Sequence, residues 1–186
     1  MKREPSDDQD LELAHRARRD PQAFAELYRR HVQPVYRYHL ARTGLPAEAE
    51  DLTADTFFAA LQGIEGFQAR GSFAAWLFGI AQRKLAQYYR SDMHWDPLEG
   101  AEAQHDPSPS PEISATLQLE LDQVIRALQV IAPERAEAVS LCYFGGLSAG
   151  EAGLVMEKST AAVKMLISGG LGDLRQRLAF PALEEA

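Results

Sequence analysis

Two patterns in this chain have residue types and spacing suited to recognition chemistry. The first is Asp51 and Asp55, one helical turn apart, with Glu48 close by. Acids at i and i+4 project from one helix face. Such a face either meets a basic protein surface or stays solvated. The second is the run Gln82, Arg83, Lys84, Gln87, Tyr88 and Arg90, which mixes bases, amides and aromatics. Basic side chains neutralise phosphates, and stacking on an aromatic ring contributes ~1–3 kcal/mol per unpaired base. Between them lies a short loop, Gly66–Ser72, carrying Gln68 and Arg70. Trp76 follows it and reads either as a stacking wedge or as a core residue in an apolar stripe.

Catalytic signatures are missing from the sequence. There is no P-loop, nucleophile elbow, dinucleotide fingerprint or metal-ligand spacing. The GGLG run at 169–172 lacks a preceding strand and a lysine-serine partner. Cys142 falls on an apolar helix face and reads as an inert buried thiol. As the single cysteine it makes no internal disulfide, which fits a reducing cytoplasm. His31 and His39 flank Pro34 without a triad partner, and His94 and His105 sit among acids. The expectation is a chain that is not an enzyme, with no cofactor and no metal.

The elements that must position these residues are helical. Asp20-Pro21 forms a helix start, and Phe24, Leu27, Tyr28, Val32, Val35, Tyr36 and Leu40 recur at spacings of three and four. Pro34 is predicted to kink or split that helix. Pro46 opens the next, with Leu52, Thr56, Phe57 (or Phe58), Ala60, Leu61 and Ile64 inward and Asp51, Asp55 and Gln62 outward. Gly71-Ser72 restarts a helix lined by Phe73, Trp76, Leu77, Ile80, Ala81, Leu85 and Tyr88. Residues 92–116 form an acidic, proline-rich linker, and residues 91–116 hold six acids and no base. Four further helices follow. The last two resemble a helix-turn-helix, opened by Leu147-Ser148 and Ser159-Thr160.

The predicted fold class is all-α. It comprises a loose N-terminus (1–19) with a short helix at most, a helical bundle (20–91), the linker (92–116), a four-helix helix-turn-helix domain (117–180) and a tail (181–186). Net charge is −8, with residues 20–90 close to neutral, so any nucleic-acid contact must be a local patch or be supported by a partner. The N-terminal MKREPSDDQD is no secretory signal, and no apolar run approaches the ~20 residues that span a bilayer, so no membrane insertion is expected.

Three segments resemble the sigma-70 family of RNA polymerase initiation factors, in its extracytoplasmic-function (ECF) group. They are AEDLTADTFFAAL (49–61), WLFGIAQRKLAQYYR (76–90) and LCYFGGLSAGEAGLVMEKSTAAVKMLI (141–167). The resemblance implies a transcription initiation factor, with core RNA polymerase and promoter DNA as partners and an anti-sigma regulator as a further one. It implies polymerase contacts at Glu48, Asp51, Leu52, Asp55 and Phe58. Contacts to the minus-ten element would fall on Gln68, Arg70, Trp76, Gln82, Arg83, Lys84, Gln87, Tyr88 and Arg90. Contacts to the minus-thirty-five element would fall on Ser159, Thr160, Ala162, Lys164 and Met165.

The sequence departs from the family in two places. Gln82, Arg83 and Gln87 stand where arginine, asparagine and aspartate are frequent. Beyond Lys164, the residues Leu166, Gly169, Leu171 and Asp173 occupy positions that are usually basic. Each lost base removes about one phosphate contact. Glycines at 169, 170 and 172 each cost roughly 1 kcal/mol inside a helix, so a break near Ser168 is predicted. The alternative reading is a sigma-like regulatory protein whose C-terminal domain binds protein, its own N-terminal half included.

Overall fold

The structure is a computed structural model and describes residues 5–68, 71–92 and 115–178. Among these there is no strand. The helices are α1 (Pro5–Ala17), α2 (Pro21–Thr43), α3 (Pro46–Gly63) and α4 (Phe73–Asp92), then α5 (Ala115–Leu128), α6 (Pro133–Val139), α7 (Ala149–Met156) and α8 (Thr160–Leu178). A single 3-10 turn, Ile64–Gly66, follows α3. The linker expected at 92–116, with its two histidines, and the tail at 181–186 lie almost wholly outside the described residues.

Local signals set most helix ends. The Asp20 side chain accepts the Gln22 N–H at 3.0 Å, with Pro21 at the first helical position. Gly44 closes α2 at φ 72°, a left-handed conformation in which its N–H reaches the Leu40 carbonyl at 2.8 Å. Ser148 and Glu151 form a reciprocal capping box at the start of α7.

Tertiary packing overrode the sequence in five places. First, α2 runs unbroken through Pro34. Its neighbours Val35, Tyr38 and Ala41 are fully buried, and burial of that face holds the helix despite the missing hydrogen bond. Second, the loose N-terminus is a packed helix from Pro5 onward. Leu11, Ala14 and Ala17 enter the core, and buried Asp10 accepts from Arg30 Nη1 at 2.9 Å and meets His31 Nε2 at 2.6 Å. Third, Leu61, assigned to the core face of α3, is 49% exposed. Fourth, the helix beginning at Pro133 widens into a π-helical turn at Ser140–Phe144 before Gly145.

Fifth, α8 does not break near Ser168. Two of its glycines face α6, where a Cβ on Gly170 would stand 2.8 Å from Val139 Cγ2 and one on Gly169 would stand 2.9 Å from Arg135 Nε. Close approach of the two helices compensates for the poor helix propensity. Arg135 reaches across that contact to both carboxylate oxygens of Asp173, at 2.8 and 2.9 Å.

The two halves of the chain share a core. Phe73, Leu77 and Phe78 from α4, with Val35 and Tyr38 from α2, sit in one buried cluster with Ala138, Leu141, Leu147, Ala152 and Val155 of the C-terminal half. A second cluster joins Ala127, Leu128, Ile131, Ala136, Val139 and Leu174 to Ala41 of α2. The C-terminal helices are therefore docked on α2 and α4.

Candidate nucleic-acid interface

The α3–turn–α4 hairpin carries most of the residues singled out by the sequence. Outward on α3 are Asp51 and Asp55, both exposed, with Glu48 half-buried beside them. Phe58 is 61% exposed on the same helix, and with Leu61 it adds apolar surface to the acids. Leu52, in contrast, is only 6% exposed and belongs to the core, so it supports this face from behind. That placement corrects its expected role as a contact residue.

Between the end of α3 and the middle of α4 lies an open cavity of about 420 Å³. Ala59, Gly63 and Gly66 form one wall, and Trp76, Ile80, Arg83, Lys84 and Gln87 the other. The volume suits a small flat ligand. Trp76 packs against the core and also borders the cavity. Its ring meets Phe67 at 5.1 Å and Phe73 at 5.5 Å between centroids, which fixes it, while its free side lines the cavity. Gly63 leaves room for that indole, since a Cβ there would already be 3.5 Å from Trp76 Cζ2.

The cavity is electrically mixed. Arg83, Gln87 and Arg90 are exposed along α4, and Lys84 pairs with Asp55 at 3.6 Å, tying the acidic face to the basic one. Gln82 does not join them: its amide turns toward Glu137 of α6, donating to Oε1 at 3.3 Å. Tyr88 is half-buried and stacks edge-on with Tyr89 at 5.4 Å. Tyr89 donates through its hydroxyl to the Arg42 carbonyl. Gln68 is exposed at the loop, whereas Arg70 lies outside the described residues. The loop is held at its base from just beyond α1, where Arg18 Nη2 donates to the Phe67 carbonyl at 2.6 Å.

The helix-turn-helix forms as read. Glu157 adopts a left-handed turn at φ 54°, and Gly153 is required because a Cβ there would lie 2.7 Å from the Lys158 carbonyl. The Ser159 hydroxyl caps α8 by accepting from Ala162 N–H at 3.2 Å. Ser159, Thr160, Lys164 and Met165 face outward and Ala162 is half-buried. Met165 is 76% exposed, so the face that would read a duplex presents one base and one large apolar side chain.

Residues 27–94 match the family described as Sigma-70 region 2. Two relatives matched over most of their length decide the matter. The RNA polymerase sigma factor CnrH of Cupriavidus metallidurans is 31% identical, covering 94% of this chain and 94% of its own. NccH of Alcaligenes xylosoxydans xylosoxydans, also an RNA polymerase sigma factor, is 31% identical over 86% of this chain and 89% of its own. The chain belongs to the ECF group of sigma-70 family sigma factors.

The ECF RNA polymerase sigma factor BldN of Streptomyces coelicolor is 35% identical over 88% of this sigma factor, which spans 65% of BldN's length. Among solved structures, that of CnrH in complex with the cytosolic domain of CnrY superposes with a TM-score of 0.68 at 25% identity, covering 92% of this chain and 97% of that one. Within the sigma factor, the groups that sequence reasoning missed are those joining its halves. Glu137, buried at 8% exposure, accepts from Tyr38 Oη at 2.9 Å and pairs with Arg42 Nε at 3.1 Å. The one sequence signal was an acid inside the apolar run Ala136–Leu141.

Two buried titratable groups show how closed this region is. Burial holds the Tyr38 phenol well above its usual range, reinforced by the Glu137 charge. His39 is pushed down to about 3 by burial. Its Nε2 lies 3.1 Å from Thr56 Oγ1, whose own proton goes to the Leu52 carbonyl at 2.7 Å. His39 must therefore donate from Nε2 and stay neutral, leaving Nδ1 without a partner.

Proposed function

We propose that this sigma factor binds core RNA polymerase through the exposed α3 face and carries it to promoter DNA. There the α3–α4 cavity takes an extruded base of the minus-ten element. The observation that carries this reading is the cavity itself. One wall sets an aromatic ring (Trp76) beside two bases and an amide (Arg83, Lys84, Gln87), and the Lys84–Asp55 pair joins it to an acidic, apolar face. Extruding a base costs a few kcal/mol, so a shaped pocket beside phosphate-neutralising groups is what strand separation needs. Gln68, Tyr88 and Arg90 extend that surface along the displaced strand, and Arg70, outside the described residues, is proposed to contact the same strand.

The chain performs no covalent chemistry in this reading; it selects where polymerase starts. Its place of work is the cytoplasm, where polymerase and promoters are, and no described helix is long and apolar enough to cross a membrane. On α8, Ser159, Thr160, Ala162, Lys164 and Met165 form the surface offered to the minus-thirty-five duplex. With Lys164 its single base, that surface contributes little salt-dependent affinity, and the N-terminal half carries most of promoter choice. A protein of the anti-sigma kind is the expected regulator; the similar factor CnrH is solved in complex with a protein, the cytosolic domain of CnrY.

Run-off transcription with core polymerase tests the reading. The wild-type chain should start transcripts at defined promoters. Asp51→Lys with Asp55→Lys should abolish initiation by removing polymerase binding. Polymerase binding without any promoter-dependent start would sink it and favour the purely regulatory alternative.

A further inference from the structure

The two halves are joined by a built polar contact as well as by shared apolar core. Glu137 on α6 is buried, and each of the three groups around it comes from the other half: Tyr38 and Arg42 from α2, and Gln82 from α4. The Arg42 contact is ionic, since its Nε lies at 3.1 Å from the carboxylate without the direction of a hydrogen bond. Around this centre the fit is close. A Cβ on Gly145 would stand 2.6 Å from the Phe78 ring, and Gly71 meets Leu154 at 3.0 Å in the same way. Ser72 donates to Glu151, and Gln129 Nε2 donates to the Ala41 carbonyl at 2.7 Å. A buried carboxylate is retained only where its partners are in place.

This closed form cannot use both DNA-facing surfaces on one promoter. Elements about 25 base pairs apart are separated by ~85 Å at ~3.4 Å per pair. A compact chain of 186 residues has a radius of gyration of about 16 Å, hence a diameter of roughly 40 Å. The stretch between Asp92 and Ala115 is long enough, at ~3.3 Å per residue, to let the halves part by up to about 75 Å.

We infer that Glu137 is a latch: it holds the C-terminal half closed on α2 and α4, occupies the Gln82 amide needed at the minus-ten surface, and must be released before the chain engages a whole promoter. The consequence for DNA rests on the promoter-binding reading; the closure itself does not. Small-angle scattering of the free full-length chain at pH 8 tests it. Glu137→Ala should raise the radius of gyration by a third or more over wild type, with helix content by circular dichroism unchanged. An unchanged radius overturns the latch. Should Glu137→Ala lose helix content, Gln82→Glu decides, because it sets a second carboxylate against Glu137 while leaving each half's own core intact. Expansion of that variant supports the latch, and a wild-type radius overturns it. Expansion of Glu137→Ala without any gain in binding to a minus-ten single strand would leave the latch standing and refute the reading of α4 as a promoter surface.

Discussion

Two glycines of α8, two residues apart, should respond to the same substitution with opposite sign. Replacing a helix-interior glycine by alanine gains roughly 1 kcal/mol from reduced backbone entropy. At Gly172 nothing stands within 4 Å of the new Cβ. Gly172→Ala should therefore stabilise by about 0.5–1 kcal/mol, a rise in Tm of about 1–4 °C for a chain of this size. At Gly170 the Cβ would lie 2.8 Å from Val139 Cγ2 and 3.3 Å from the Arg135 carbonyl. Val139 is 2% exposed, so its methyl has nowhere to go. Overpacking of that kind costs about 1–3 kcal/mol, so Gly170→Ala should be net destabilising by up to about 2 kcal/mol. Thermal denaturation followed by circular dichroism reads both. Pairing Gly170→Ala with Val139→Ala should recover part of the loss, a coupling that a double-mutant cycle measures. If Gly170→Ala were as stabilising as Gly172→Ala, α6 and α8 would not be in contact and the account of the glycine run would be wrong.

Other outcomes follow from single groups. The folded pKa of His39, about 3, lies below its ordinary 6.5, so its contribution to stability is full above pH 6.5 and declines as pH falls toward 3. At pH 5 the loss should be about 2 kcal/mol, and His39→Gln, which keeps a donor for Thr56, should flatten the dependence measured by denaturant titration at pH 7.5 and 5. Equal slopes for both proteins would refute it. Arg83 is exposed, so Arg83→Ala should change stability by less than about 0.5 kcal/mol yet weaken promoter binding and lower its salt slope by about 1, read by fluorescence anisotropy with polymerase present. Charge reversal at Asp55 should also release Lys84, so Asp55→Lys alone is expected to weaken polymerase affinity in a pull-down titration while leaving the fold intact. Unchanged affinity would remove α3 as the docking face.

Much of the site was legible because it depends on local rules. Asp20-Pro21, Gly44 and the Ser148/Glu151 box act within one turn of chain, so their helix ends were readable from residue type. The outward placement of Asp51 and Asp55 followed from helical period, and so did the exposure of Arg83, Gln87 and Arg90. The α3–α4 cavity was only half legible. The sequence named Trp76 and the basic run, but not the gap beside Gly63 that lets an indole act as both core and wall.

By itself, then, the sequence determined an all-helical chain, the order of its helices, and the sigma-factor character carried by three segments, because periodicity and capping are properties of near neighbours. Tertiary structure alone decided what each unusual residue is for. Pro34 is tolerated because the helix around it is buried. Gly169 and Gly170 look like helix breakers until Arg135 and Val139 are seen against them. Glu137 resembles any acid in a helix until three side chains from the other half surround it. These contacts join residues tens of positions apart, and no local pattern encodes which distant side chain will arrive.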